Sequence, residues 1–379
     1  MIKSQITPIL FIILLLATVC SHSCQPQTEK ELLNTSIKEN ARKLLEDYRL
    51  NAVSIAVYAN GVGYTEHFGE LDKGKANSPT NETLYEVASV TKTMTGYLVA
   101  KAVTEAKLKL TDPITKYMGN AYQHLSYNKK PITIQDLLTH TSGLPLNIEG
   151  VDELYINPSR SSYTKAQELL TYYPKDSLLN TLKKIKLEYL PGTQYSYSNV
   201  APNVLAHILE VVYKKPFDDV LQEYLFEPAM MDNTKINLTN EEQELLANGH
   251  NAKGEVMPNF KKPIKLWGAA GRAKSNATDM LNYIKFQLND QNPVVKESHT
   301  KLFRDLENLW IGYFWEILED KDGMHIEHHG GIYGTQNWLI IYPEHDFGIS
   351  VIANSSFPEA NRLLKQTALH IFKDFKNNY

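Results

Sequence analysis

The first block of the chain is apolar almost without a break. Ile6 to Cys20 is interrupted only by Thr7, Pro8 and Thr18, and Lys3 gives it a positive start. Such a run is short for a membrane span and suits a secretory signal over residues 1–24; a membrane anchor helix is the alternative. Residues 25–31 are polar and read as a linker before a domain over 32–379. From 30 to 50 a helical period places Ile37, Ala41, Leu44, Leu45 and Tyr48 on one side. Two β-rich runs follow around Asn60-Gly61, a hairpin turn signal. Next, YEVASVTKTMTGYLVAKAV (85–103) reads as a core helix starting near Ser89, with Leu98, Val99 and Val103 on its period.

Helical patterns dominate residues 111–265. Thr133 with Asp136 forms a cap signature before Leu137 and Leu138. Leu178, Leu179, Leu182 and Ile185 mark one helix, and Val200, Val204, Leu205, Ile208, Leu209 and Val212 another. Pro191-Gly192 breaks the chain between them. Strands return near the end. WIGYFWEIL and MHIEHH read as extended, joined by a turn at Asp322-Gly323, and QNWLIIYPEHDFGISVIANS reads as a hairpin. Pro358 suits the start of a final helix carrying Leu363, Leu364, Ala368, Ile371 and Phe372. Strands at both ends most simply share one antiparallel sheet. The expected fold is therefore α+β: an antiparallel sheet flanked by helices, with a mainly α-helical lobe inserted at 111–265 and a cleft between the two.

The 379 residues suffice for a large core. A net charge of −4 gives no sign of a nucleic-acid partner. Both cysteines, Cys20 and Cys24, end the apolar block. A cysteine after small residues there resembles a bacterial lipoprotein cleavage site, so membrane attachment through an N-terminal lipid at Cys20 or Cys24 is an expectation, with the protein exported to the periplasm or cell envelope. No cysteine lies beyond residue 24, which removes disulfides and cysteine nucleophiles from the mature body.

Chemistry has to come from elsewhere. Ser-x-x-Lys occurs four times: Ser89/Lys92, Ser126/Lys129, Ser162/Lys165 and Ser298/Lys301. Only the first opens a strongly apolar helix. Residues i and i+3 share a helix face, and the N–H groups at a helix start would favour an oxyanion formed by attack of Ser89. Lys92 can serve as a base only if burial or a neighbouring cation lowers its pKa. Tyr197-Ser198-Asn199 follows the Pro191-Gly192 break and directly precedes a helix. Tyr-x-Asn recurs at Tyr58/Asn60 and Tyr155/Asn157, so the spacing alone decides little. His329-Gly330-Gly331 ends an extended run, where glycines let a substrate approach the strand.

Taken in order, SVTK (89–92), YSN (197–199) and HGG (329–331) resemble the three motifs of the serine β-lactamase-related family. That family comprises class C β-lactamases, D-alanyl-D-alanine carboxypeptidases and related esterases. LLTHTSGLP (137–145), PGTQYSYSN (191–199), GAAGRAKSNATDM (268–280) and HHGGIYG (328–334) extend the similarity over roughly residues 35–375. The resemblance implies a Ser89 acyl-enzyme, with Lys92 taking or relaying the proton and Tyr197 as second base or as acid toward the leaving group. It implies that Asn199 binds a substrate amide and that His329, Gly330 and Gly331 line the site. The oxyanion hole would be the N–H groups of Ser89 and Ile332. One departure matters: the class C enzymes have lysine where this chain has His329. A fixed cation for a β-lactam carboxylate is missing there, since histidine is largely neutral at pH 7.

Competing readings narrow the list. His140 in LLTHTSGLP is read as structural, at a helix end and tight turn. His325, His328 and His329 lack an HExxH or a compact carboxylate set, so no metal and no cofactor is expected. No Gly-x-Ser-x-Gly elbow is present. Trp310, Trp315 and Trp338 read as core or cleft wall. The expected partner is a small-molecule or peptide substrate, peptidoglycan-derived peptides included. The function expected is a secreted or envelope-anchored serine hydrolase acting on a D-amino-acid peptide or a small ester or amide. The alternatives are a β-lactamase, a non-turnover penicillin- or muropeptide-binding sensor, or an envelope protein that lost catalysis.

Overall fold

The computed structural model describes residues 29–156 and 159–378. The apolar N-terminal block, Cys20 and Cys24 lie outside the described residues, as does Asn157 of the Tyr155/Asn157 pair. The first helix, α1 (Glu29–Leu44), leads into a hairpin of β1 (Ala52–Ala59) and β2 (Val62–Gly69). Its tip is Asn60-Gly61, and both residues take positive φ, as a two-residue hairpin turn of the right twist requires.

A single turn of 3₁₀ helix, Ala88–Val90, carries Ser89 and runs into α2 (Thr91–Thr104). Helices then dominate, among them Ile134–Leu138, Arg160–Tyr172, Lys175–Leu182 and α3 (Val200–Tyr213). Thr133 and Asp136 form the full capping box that their spacing predicts. After α4 (Ala277–Gln287) come the six strands that complete the main sheet: β3 (Phe303–Leu306), β4 (Leu309–Gly312), β5 (Trp315–Asp320), β6 (Gly323–Ile332), β7 (Thr335–Tyr342) and β8 (Phe347–Ala353). The chain closes with α5 (Ala360–Asn378).

The eight strands form one sheet in the order β2-β1-β8-β7-β6-β5-β4-β3. Every neighbouring pair is antiparallel. β1 and β8, from opposite ends of the chain, lie side by side as its second and third strands, where Val53 pairs with Ala353 and Ala59 with Phe347. The α+β expectation, with both ends in one sheet, holds. Period-2 alternation explains the burial of both faces. Trp338, Ile340 and Tyr342 face α1 and α5, while Leu339 and Ile341 join the core shared with α2, α4 and the helices of the middle segment. This is why β7 and β8 are buried along their whole lengths and read as near-continuous apolar runs.

Three expectations need correction. Tyr48 is not on the core side of α1: the helix ends at Leu44 and Tyr48 is 78% exposed. Asp47 stops it by accepting the Arg49 N–H at 3.0 Å in a local turn. WIGYFWEIL is not one strand but a hairpin, β4–β5, whose tip residues Tyr313 and Phe314 both have positive φ. Gly312 pairs with Trp315 across that turn, but neither tip position holds a glycine or asparagine. Tertiary bonds hold it: Phe314 N donates to Leu138 O at 3.0 Å, and the Tyr313 hydroxyl donates to Glu297 Oε1 at 2.5 Å. The turn before β6 is Lys321-Asp322, because Gly323 already pairs with Asp320.

Candidate active site

α2 is buried on nearly every side rather than along one stripe, from Thr91 to Ala100. Its hydroxyls therefore need partners. Thr91 Oγ1 donates to Ala88 O at 2.7 Å and Thr95 Oγ1 to Ala269 O at 3.0 Å; Thr93 Oγ1 lies 2.9 Å from the Tyr283 hydroxyl. Lys92 is also fully buried, yet no carboxylate pairs with it among the described residues. Its Nζ donates to Ser89 Oγ at 3.1 Å, to Asn199 Oδ1 at 2.8 Å and to the Ala270 carbonyl. Burial holds the Lys92 amine well below the usual lysine range, with the Arg272 charge as the lesser cause.

Tyr197 approaches Ser89 from another element, the loop before α3. Its hydroxyl donates to Ser89 Oγ at 2.9 Å, and the Lys92 ammonium lies 4.8 Å from its ring centre. Burial pushes the Tyr197 phenol up, with the Ser89 bond working the other way. Ser198 fixes the loop: its Oγ donates to Pro145 O at 2.7 Å and accepts from Val200 N and Ala201 N, each at 3.1 Å, at the start of α3. Asn199 is held at both ends, by Lys92 and by donating to Asn147 Oδ1 at 2.8 Å.

The Ser89 turn sits between two glycines. A Cβ on Gly330 of β6 would lie 2.2 Å from Val87 O, and one on Gly271 would lie 3.3 Å from Ala88 C. Ala88 itself has φ +47, a costly value for a residue with a Cβ. β5 pairs with β6 only up to Glu327, so His328 to Ile332 have no strand partner on that edge among the described residues. Above the turn opens a cavity of about 1120 Å³ whose lining includes Ser89, Asn199, Arg272, His329 and Ile332.

Ser89, Lys92 one helical step below it and Tyr197 from the loop before α3 thus meet at one point. The family model named Beta-lactamase matches residues 37–371. The chain belongs to the beta-lactamase family. A protein named Protein flp from Staphylococcus aureus (strain MW2) is 26% identical over 318 residues, covering 82% of this chain and 61% of that protein. The chain thus spans about three fifths of the length of the Staphylococcus relatives. A protein named Beta-lactamase from Pseudomonas fluorescens is 22% identical over 369 residues, covering 86% of this chain and 95% of that one.

Within this beta-lactamase-family fold, Ser89, Lys92, Tyr197 and Asn199 come together, and His329, Gly331 and Ile332 line the same cavity. Gly330 differs from its expectation. It admits the backbone of the Ser89 turn rather than a substrate. Gly330→Ala is expected to displace that turn, costing on the order of 1–3 kcal/mol as overpacking does, with most activity lost; denaturant unfolding and ester turnover measure the two effects.

His329 is more engaged than its motif implies. Its Nε2 lies 2.6 Å from Gln336 Oε1, whose Nε2 donates to Ser356 Oγ at 2.7 Å, and its ring rests 5.1 Å from that of Trp338. Burial lowers its pKa. A neutral ring must therefore spend its one N–H on Gln336 and turn only an acceptor elsewhere. His140 is structural with a consequence: its Nδ1 accepts from Ser198 N at 3.1 Å and its ring lies 4.4 Å from that of Tyr197. His325 and His328 point to opposite faces of β6, and among the described residues no group of three or more His, Cys, Asp or Glu is placed to hold a metal ion. Sequence reading missed Asn147, the Ala270 carbonyl and Arg272. Asn147 falls just past LLTHTSGLP, and the other two lie inside GAAGRAKSNATDM.

Proposed function

We propose that this beta-lactamase-family chain is a serine hydrolase working through a Ser89 acyl-enzyme on a D-amino-acid peptide or a small ester or amide. One observation carries the reading: Ser89 Oγ is within hydrogen-bond reach of both Lys92 Nζ and the Tyr197 hydroxyl. As a neutral amine, Lys92 would give its two hydrogens to Asn199 Oδ1 and the Ala270 carbonyl. Its lone pair would then face the Ser89 hydroxyl. The lowered lysine pKa and the raised tyrosine pKa favour this arrangement, amine as base and phenol as proton carrier. Because the two groups bond to the same Ser89 oxygen, they would form one proton-relay unit.

The steps then balance. Ser89 Oγ bonds to the carbonyl carbon as its proton passes to Lys92. Collapse breaks the bond to the leaving group, which takes a proton through Tyr197. Water attacks the ester so formed, the bond to Ser89 breaks, and a carboxylic acid leaves. The N–H groups of Ser89 and Ile332 would hold the oxyanion. We further propose export, with the apolar block and Cys20 or Cys24 supporting a lipid-anchored envelope protein.

The relative named Beta-lactamase keeps penicillin turnover as a second reading. His329, with its N–H committed to Gln336, argues against it, since a β-lactam carboxylate finds no donor there. Turnover of p-nitrophenyl butyrate, a D-alanyl-D-alanine peptide and benzylpenicillin by the full chain separates the readings. Ester or peptide hydrolysis well above that of penicillin is expected. Penicillin hydrolysed fastest would identify a lactamase, and a lasting penicillin adduct without product would identify a sensor.

A further inference from the structure

Beyond its lesser effect on the Lys92 amine, Arg272 has no role in the scheme above, yet it lines the cavity that opens over Ser89. Its guanidinium lies 3.6 Å from the centre of the Phe260 ring. Among the described residues the one hydrogen bond it makes is long, from Nη1 to Gly271 O at 3.4 Å. No carboxylate among the described residues pairs with it within 4.0 Å. Glu86 is the acid whose charge it feels, but the Phe260 N–H takes Glu86 Oε1 at 3.0 Å, and Lys274 is the larger cationic influence on that carboxyl. Arginine offers five donors in a rigid fork suited to carboxylates. Seating one in a partly enclosed site with its fork unfilled is costly, and it matters most where a ligand completes it.

Its place relative to the nucleophile follows from the chain. Ala270 O holds Lys92, Gly271 packs on Ala88 and Ser89, and Arg272 comes next. Tyr333 follows Ile332, and Gly271, next to Arg272, packs against Ser89, so each of the two proposed oxyanion donors has this corner beside it. Three tyrosines build its wall: Tyr155 and Tyr333 share a hydroxyl contact of 2.7 Å, and the Tyr163 ring lies 4.7 Å from that of Tyr333. Tyr197, the group placed to serve the leaving group, approaches Ser89 instead from the loop before α3.

Resting on the Ser89 reading, we infer that Arg272 recognises a carboxylate carried on the acyl part of the substrate. The enzyme would accordingly prefer acyl donors with an anion beyond the scissile carbonyl. Arg272 is a specificity-determining residue and takes no part in proton transfer.

Esters with one leaving group and different acyl groups test this. The p-nitrophenyl esters of butyrate, succinate and glutarate, the last two with a free carboxylate, are compared in wild type, Arg272→Gln and Arg272→Lys. Wild type is expected to favour an anionic ester. Arg272→Gln should lower kcat/KM for that ester relative to butyrate by roughly tenfold or more, the worth of a charge-assisted pair, while Arg272→Lys retains part of the preference. Any effect of Arg272 on the Lys92 amine acts on all the esters and cancels in the ratio. A ratio unchanged in Arg272→Gln, or a wild-type preference for butyrate, overturns the inference. Should no ester turn over, ester hydrolysis drops out of the proposed function, and the thermal shift with glutarate still decides for Arg272. A rise in Tm in wild type that Arg272→Gln lacks sustains carboxylate recognition; equal responses overturn it.

Discussion

Ser89→Ala is expected to abolish turnover of every substrate the wild type accepts, by on the order of 10⁴-fold or more, as loss of a nucleophile does elsewhere. The reason is local. Ser89 Oγ is the atom on which Lys92 and Tyr197 converge, and among the described residues no other hydroxyl is bonded to both. Stability should change little, because Ser89 is partly exposed to the cavity and its hydroxyl packs no core. Hydrolysis of p-nitrophenyl butyrate together with a melting curve checks both halves. A folded variant with near wild-type rates would place the nucleophile elsewhere.

Lys92→Met and Tyr197→Phe should each lower turnover by roughly 10²-fold or more, the usual worth of a positioned proton-transfer group. Methionine fills the space of the lysine stem without its amine. Phenylalanine keeps the ring that stacks between His140 and Lys92 and deletes only the hydroxyl. The double variant should lose less than the product of the two, because the groups act as a unit. pH profiles add a sign. Lys92 serves only when neutral, so wild-type activity should rise with pH through its lowered pKa, and that acid limb should vanish in Lys92→Met. Multiplicative losses with an unchanged limb would take Lys92 out of the relay.

The fold was legible where a local signal is strong. The apolar runs of β7 and β8, the capping box at Thr133 and Asp136, and the Asn60-Gly61 turn all follow from local pattern. The β4–β5 turn was not, because Tyr313 and Phe314 take positive φ only through bonds to Leu138 and Glu297, which are distant in sequence. The same contrast runs through the site. Ser89, Lys92 and Tyr197 carry motif spacings that a linear reading can order. The Ala270 carbonyl and Arg272 reach Lys92 across 178 and 180 positions, and a backbone oxygen leaves no side-chain signature at all. Gly330 was visible as a glycine, but its neighbour proved to be the chain itself.

Covalent labelling of Ser89 tests the central claim most directly. The full chain is exposed to a fluorophosphonate serine probe, and the modified peptide is found by mass spectrometry. One adduct per chain is expected, on the peptide carrying Ser89, absent from Ser89→Ala and slowed in Lys92→Met. An adduct on another residue, or one that persists in folded Ser89→Ala, would contradict the account.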